Sequence, residues 1–300
     1  ILDGVATWNE FLFALIVLNS DQSKTIPVGL LNFQGQFANN NTGLAAGILI
    51  AVVPILIAYV VLQRWIVEPR PEAPLDSAAR EVLDRLVRVF TAARDPARAQ
   101  AQAAYMREQF AFLGLAAPAH RALIRTVVAG LPKPTEADLR AVALGCWRLD
   151  EREYQYFACD WLRAHVRVPG PAFLATLRTL LTTKPWWDTV DPLATRVVGG
   201  LVQRHPELVT EMDAWSADPD RWLVRTALLH QLHHGPRTDA ARLFGYCSRQ
   251  AGHPDFFVRK AIGWALRQYA RTDPDAVRGY VAREREHLSP LSVREATRHL

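Results

Sequence analysis

Cysteine is scarce in this 300-residue chain: Cys146, Cys159 and Cys247 form no CxxC pair and no evident disulfide framework. A disulfide-stapled fold is therefore excluded, and three reduced, half-buried thiols in a cytoplasmic domain are expected. Charge is missing altogether between Lys24 and Arg64. Two-residue alternation of apolar and polar positions is missing too, which argues against β-strands. The N-terminal stretch has neither a basic n-region nor a small-residue cleavage site, so it does not read as a signal peptide.

What is present falls into two unlike parts. The chain holds 35 basic and 30 acidic residues, a net of +5. Residues 1–72 contain three bases (Lys24, Arg64, Arg70) and five acids (Asp3, Glu10, Asp21, Glu68, Glu72), a net of −2. The remainder therefore carries +7, along with all nine histidines. A basic half points to an acidic partner such as nucleic acid, although a solvated basic surface would look the same.

Inside the uncharged gap lies LAAGILIAVVPILIAYVVL, residues 44–62. At about 1.5 Å per residue such a helix reaches roughly 28 Å, close to the apolar thickness of a bilayer. It has no polar face, and Pro54 is tolerated in a membrane helix. Arg64 and Arg70 follow it and place the C-terminal side in the cytoplasm. The shorter run FLFALIVL, residues 11–18, reads as the end of an earlier span whose start lies upstream. The prolines and alternating charges of EPRPEAPLD, residues 68–76, make a stiff exposed linker.

Beyond Asp76 the signals are helical. Thr135 followed by acids opens TEADLRAVALGCWRL, and Gly170-Pro171 opens PAFLATLRTLL. HPELVTEMDAW and TDAARLFGYCSRQAG begin in the same way, the latter stopping at a glycine. Val-Arg-x-Ala occurs at Val224–Ala227 and again at Val258–Ala261, 34 residues later, a period typical of helical-pair repeats. The expected fold is all-α: a HEAT-like solenoid of stacked helical pairs preceded by a transmembrane helical segment. The expected domains are a membrane fragment at 1–69, a proline-rich linker at 70–75 and the helical domain at 76–300.

The oddest stretch is TKPWWDTVD, residues 183–191. Asp188 as N-cap with Asp191 at N3 would make a carboxylate version of the capping box. Alternatively Asp191 is the N-cap and Pro192 occupies N1. A functional reading stands beside both. Adjacent tryptophans cannot face the same way, so one enters the core and the other offers its indole face to a ligand. A carboxylate beside that face would attract a cationic substrate or transition state, by about 4 kcal/mol at 4 Å and an effective dielectric near 20. Trp264, flanked at helical spacing by Lys260, Arg267 and Arg271, either fills the core or forms a basic aromatic stripe facing phosphate. His230, His233 and His234 have metal-ligand spacing, but Gly235-Pro236 follows at once, so they read as a helix C-terminus and no metal is expected.

Two family resemblances rest on these residues. ATWNEFLFALIVLNSDQSKTIPVGLLNFQGQF followed by GLAAGILIAVVPILIAYVVLQRWIV resembles the C-terminal end of a sugar ABC-transporter permease of the MalG type. The coupling loop and most of the membrane helices of such a permease are absent, so ancestry is implied and transport is not. AAYMREQFAFLG, EREYQYFACDWL, TTKPWWDTVDPLA, WLVRTALLHQL, DFFVRKAIGWALRQYARTDPDAV and LSPLSVREATRHL, in order, resemble the AlkD-type DNA alkylation repair glycosylases. That resemblance implies a monofunctional glycosylase that hydrolyses the N-glycosidic bond of N3- and N7-alkylated purines in double-stranded DNA. It implies Asp191 and Trp187 as the catalytic pair, and Tyr105, Arg225, Trp264 and Arg267 as pocket and DNA contacts. It implies no metal or organic cofactor, a monomer, and a cytoplasmic catalytic domain, tethered to the inner membrane if the N-terminal span is inserted. Two other functions remain open: a non-catalytic HEAT scaffold binding protein or damaged DNA, and a membrane transport subunit.

Overall fold

The computed structural model describes residues 77–300 together with positions 45 and 52, each in helical backbone. The chain divides into two compact units, Ile1–Pro74 and Leu75–Leu300, and every helix named here belongs to the second. The span expected at 44–62, the run at 11–18 and the linker at 70–75 lie outside the described residues, apart from positions 45 and 52. Among the described residues no helix is long and apolar enough to cross a membrane.

The expected all-α fold is found. Helix α1 (Ser77–Ala92) packs on α3 (Ala117–Val128) and α4 (Glu136–Arg148), and α4 packs in turn on α5 (Arg152–Ala164). Between them α2 (Pro96–Tyr105) starts on an Asp95 cap, with proline at its first position. Further on, α6 (Leu174–Thr182) lies on α10 (Arg221–Leu229), α10 on α12 (Phe256–Tyr269), and α12 on α14 (Pro290–Ala296). The remaining helices are α7 (Trp187–Pro192), α8 (Gly199–Arg204), α9 (Val209–Trp215), α11 (Ala240–Arg249) and α13 (Pro274–Arg283). Apolar residues at three- and four-residue steps supply the seams: Leu86 and Phe90 on α1, Leu177 and Leu181 on α6, and Ile262 and Leu266 on α12 are all fully buried. Extended backbone pairing among the described residues is limited to one parallel bridge, Ala111 to Glu151.

Local chemistry explains the boundaries. Thr135 and Asp138 form a reciprocal capping box at the start of α4, worth about 1 kcal/mol. Asp220 caps α10 through the amides of Trp222 and Leu223, and Asp255 caps α12 through those of Phe257 and Val258. Two helices thus start with the same device, one residue out of step with the 34-residue Val-Arg-x-Ala spacing. α11 is capped by Asp239 and ends at Gln250, two residues short of the expected glycine stop. The cysteines are buried outright rather than half-buried, and burial pushes all three thiols well above their usual range.

Helix α7 departs from both expected placements of its cap. Its N-cap is Trp186, in extended backbone and without a side-chain bond, so neither Asp188 nor Asp191 caps it and Pro192 is not at N1. Pro192 instead ends the α-helical turn, and the missing N–H breaks the i to i−4 ladder. A π-helical turn over Leu193–Val198 follows and leads into α8. The turn before α7 is held by its neighbours. Lys184 has a positive φ of 48°, and the fully buried Arg152 donates to its carbonyl at 2.8 Å.

Candidate active site

Asp188 belongs to the scaffold of this corner. Arg152 reaches both its oxygens at 2.9 and 2.7 Å, and Tyr156 Oη donates to it at 2.6 Å. Arg152 also donates to Thr189 Oγ1 at 2.8 Å and lies over the Phe110 ring at 3.8 Å. A fully buried guanidinium is costly unless paired, and Asp188 at 7% side-chain exposure is the pair. This network locks α7 to α5 and thereby fixes where Trp187 and Asp191 point.

The two tryptophans separate as expected of adjacent residues, though both stay half-buried. Trp186 joins an aromatic cluster, with ring centroids 6.0 Å from Trp222 and 5.1 Å from Phe257. Trp187 turns to an open cleft of about 340 Å³, lined also by Asp191, Arg225, Phe256, Phe257, Lys260, Trp264 and Arg267. The residues come from α7, α10 and α12.

Asp191 is the single carboxylate on this cleft wall, facing three cations. Arg225 Nε and Nη2 each donate to one of its oxygens at 2.7 Å, a bidentate pair. Arg225 Nη1 donates to the Phe257 carbonyl at 2.5 Å, and its guanidinium lies 6.0 Å from the Trp264 ring centre. Side-chain exposure is 15% for Asp191 and 4% for Arg225, so of the pair it is the acid that meets solvent more. Burial pushes the Asp191 carboxyl above its usual range, the Arg225 bonds pull it down, and the charge of Asp188 adds to the rise. The outcome is a partly desolvated anion with its lone pairs oriented, beside an indole face.

Lys260, Trp264 and Arg267 lie on one face of α12 at i, i+4 and i+7, the basic aromatic stripe that was one of two readings; Arg271 is not among the lining residues. Both cations share Glu295 of α14: Lys260 Nζ at 2.6 Å from one oxygen, Arg267 Nη1 at 2.5 Å from the other. Those contacts hold the Glu295 carboxyl below its usual range, Lys260 contributing most. The close approach of α14 depends on Gly263, where a Cβ would stand 2.4 Å from Glu295 Cβ and 2.9 Å from the Ser292 carbonyl.

Five of the six sequence-derived site residues therefore converge: Trp187, Asp191, Arg225, Trp264 and Arg267. Tyr105 does not line this cleft; it is 75% exposed at the end of α2, just before Arg107 and Glu108 at positive φ. Sequence reasoning missed Phe256, Phe257 and Glu295. Phe256 and Phe257 occupy the first turn of α12, where nothing local distinguishes a cleft face from a core face. The histidines end α10 as expected, with His230 as C-cap. His230 Nδ1 lies 2.7 Å from the Ala227 carbonyl, and burial pulls its pKa down to about 4.

Comparison with known proteins gives two results, one for each part of the chain. The family described as DNA alkylation repair enzyme matches residues 86–300. A solved structure, a predicted DNA alkylation repair enzyme from Enterococcus faecalis, is similar with a TM-score of 0.61 and 30% identity, covering 69% of this chain and 96% of that one. The N-terminal stretch of about 67 residues resembles sugar ABC permeases. The arabinooligosaccharides transport system permease protein AraQ of Halalkalibacterium halodurans is 39% identical over 67 residues, 22% of this chain and 24% of that protein. The probable ABC transporter permease protein YurM of Bacillus subtilis is 37% identical over 67 residues, 22% of each. The chain thus spans about a quarter of the length of the curated permeases it matches.

Proposed function

The chain belongs, over residues 86–300, to the DNA alkylation repair enzyme family, and on that premise we propose that its cleft releases N3- and N7-alkylated purines from double-stranded DNA. Alkylation at these nitrogens leaves the base cationic. When the C1′–N bond breaks, its electron pair neutralises the base, and the positive charge moves to the sugar as an oxocarbenium ion. Water then adds at C1′ and gives up a proton to solvent. The protein has to stabilise a cation in a partly dry site and admit one water. A fixed carboxylate does the first electrostatically, and the same oxygens can accept from the incoming water.

The observation that carries this reading is Asp191, held bidentately on the cleft wall and flanked by Trp187 and Trp264. The indole faces suit the sugar and its developing charge. Lys260 and Arg267 suit the flanking phosphates. Arg225, nearly buried and committed to Asp191, orients the acid more than it contacts DNA.

A second reading, a non-catalytic scaffold for damaged DNA or protein, draws on the same pair: both Asp191 oxygens already have a partner, as in a purely structural bridge. Incubation of the protein with methylated duplex DNA distinguishes the two. Free alkylated purine in the supernatant supports the glycosylase; retention on the duplex with no base released overturns it.

The wider assignments follow from this reading. The helical domain, residues 76–300, is a HEAT-like solenoid acting as a monomer in the cytoplasm. Residues 1–69 are a permease-like membrane segment, joined through a linker at 70–75, that tethers the domain to the inner membrane where its span is inserted.

A further inference from the structure

A second cavity, of about 280 Å³, is lined by Arg163, Val166, Thr195, Arg196, Gly199, Gly200, Gln203, His233 and His234. Its walls come from the C-terminal ends of α5 and α10 and from the π turn and α8, whereas the catalytic cleft is lined from α7, the middle of α10 and α12. Thr195 Oγ1 donates to the Asp191 carbonyl at 2.8 Å, so one continuous helical segment serves both places. No carboxylate lines the cavity.

Its donors outnumber its acceptors. Arg163 pairs with Asp160 at 3.0 Å, the one ion pair made by a lining residue. Arg196 has no ion pair or hydrogen-bonded side-chain partner among the described residues, and neither has His233. The carbonyls that end α5 and begin α8 are already taken: Arg204 donates to Val166 and to Pro169, and His234 Nε2 lies 3.1 Å from the Gly199 carbonyl. Those bonds remove the nearest competing acceptors. The close seat of α8 on its neighbours needs glycine, since a Cβ on Gly199 would stand 2.1 Å from the His230 carbonyl and one on Gly200 2.8 Å from Val166.

We propose that this cavity is a phosphate-binding site, separate from the catalytic cleft, with Arg196 and His233 as its main donors. The volume of about 280 Å³ admits a phosphate with a sugar attached, and the ligand supplies acceptors that the walls lack. Its source is either a backbone phosphate of bound DNA or a free phosphate. The local field agrees: besides burial, Arg196 and His234 both push the His233 pKa down, and Arg167 does the same to Arg204. Arg163, Arg196, His233 and His234 are the charged or titratable groups lining the site, and Asp160 pairs with Arg163.

The test uses the full chain carrying ring-labelled histidine, with His233 assigned through His233→Gln. Inorganic phosphate is titrated while the His233 resonance is followed across pH. A bound phosphate should raise the His233 pKa by about one pH unit, and Arg196→Ala, an exposed position, should abolish the response while leaving the melting temperature unchanged. Binding to an undamaged duplex is then measured against salt. A slope reduced by about one in Arg196→Ala identifies the source as DNA backbone; an unchanged slope with the phosphate response intact in the wild type identifies free phosphate. A His233 resonance indifferent to phosphate, or an equal response in Arg196→Ala, overturns the proposal. Neither arm depends on base release, so this inference and the glycosylase reading fail separately.

Discussion

Replacing Asp191 with Asn should damage both stability and chemistry, and the structure says by how much each. Asn keeps the volume but offers Arg225 one acceptor where the carboxylate offered two, at 2.7 Å each. Arg225 is left a nearly buried cation without a counter-charge. Breaking such a pair costs about 3–5 kcal/mol; the 15% exposure of Asp191 argues for the lower end. For a domain of this size that lowers the melting temperature by roughly 6–12 °C. Base release should fall further, by about 100- to 1,000-fold, the usual consequence of deleting one preorganised electrostatic contact. Asp188→Asn is the matched control. It too breaks a bidentate pair to a buried arginine, so its stability loss should equal or exceed that of Asp191→Asn. Arg152 keeps its hold on the Lys184 carbonyl and Thr189 Oγ1, so the corner persists and the rate should fall less than tenfold. Both variants are assayed by single-turnover release of methylated purine at a temperature where circular dichroism shows each fully folded. If the two rates fall together, Asp191 is one more structural pair and the electrostatic mechanism is refuted.

The raised Asp191 pKa sets a pH dependence with opposite signs for rate and stability. Base release should rise with pH along a limb lying above the ordinary carboxylate range, as the ionised form becomes populated, whereas stability from this group falls over the same interval because the folded state holds the proton more tightly; a rate limb at or below the model-peptide range contradicts this. Glu295 behaves in the reverse way, its contribution present above the unfolded pKa of a glutamate and lost as pH falls through its lowered folded value, which acid titration of Glu295→Gln against the parent will show. Arg267→Ala should flatten the salt dependence of duplex binding by about one unit; a slope that does not change places the phosphates elsewhere. A chain comprising residues 73–300 should be helical and as active as the longer one, measured by circular dichroism and base release, and loss of activity would show that the N-terminal part contributes to the reaction.

Much of the framework could be read from local pattern. The Thr135 cap and the helical segments depend on residues a few positions apart, which sequence displays directly. The recurring Val-Arg-x-Ala placed α10 and α12 because the same side chains start both helices. What sequence could not supply is pairing across the stack. Arg152 meets Asp188 at a separation of 36 residues, Arg225 meets Asp191 at 34, and Arg267 meets Glu295 at 28. Each pairing exists because neighbouring helices pack side by side, so nothing near Asp188 or Asp191 in the chain distinguishes scaffold from site. The cap of α7 was misplaced for a related reason. Two aspartates and a proline carry strong local start signals, but their side chains and geometry are claimed by Arg152, Arg225 and the π turn.

The seat of α14 against Gly263 has a consequence for synthesis. Lys260 and Arg267 are translated about thirty residues before Glu295, the carboxylate that pairs with both. A ribosome exit tunnel hides a stretch of comparable length, so α12 emerges and folds with two bare cations beside Trp187 and Trp264. For that interval the nascent protein presents a cationic, aromatic groove a short distance from ribosomal RNA. Docking of α14 then brings Glu295 against both cations.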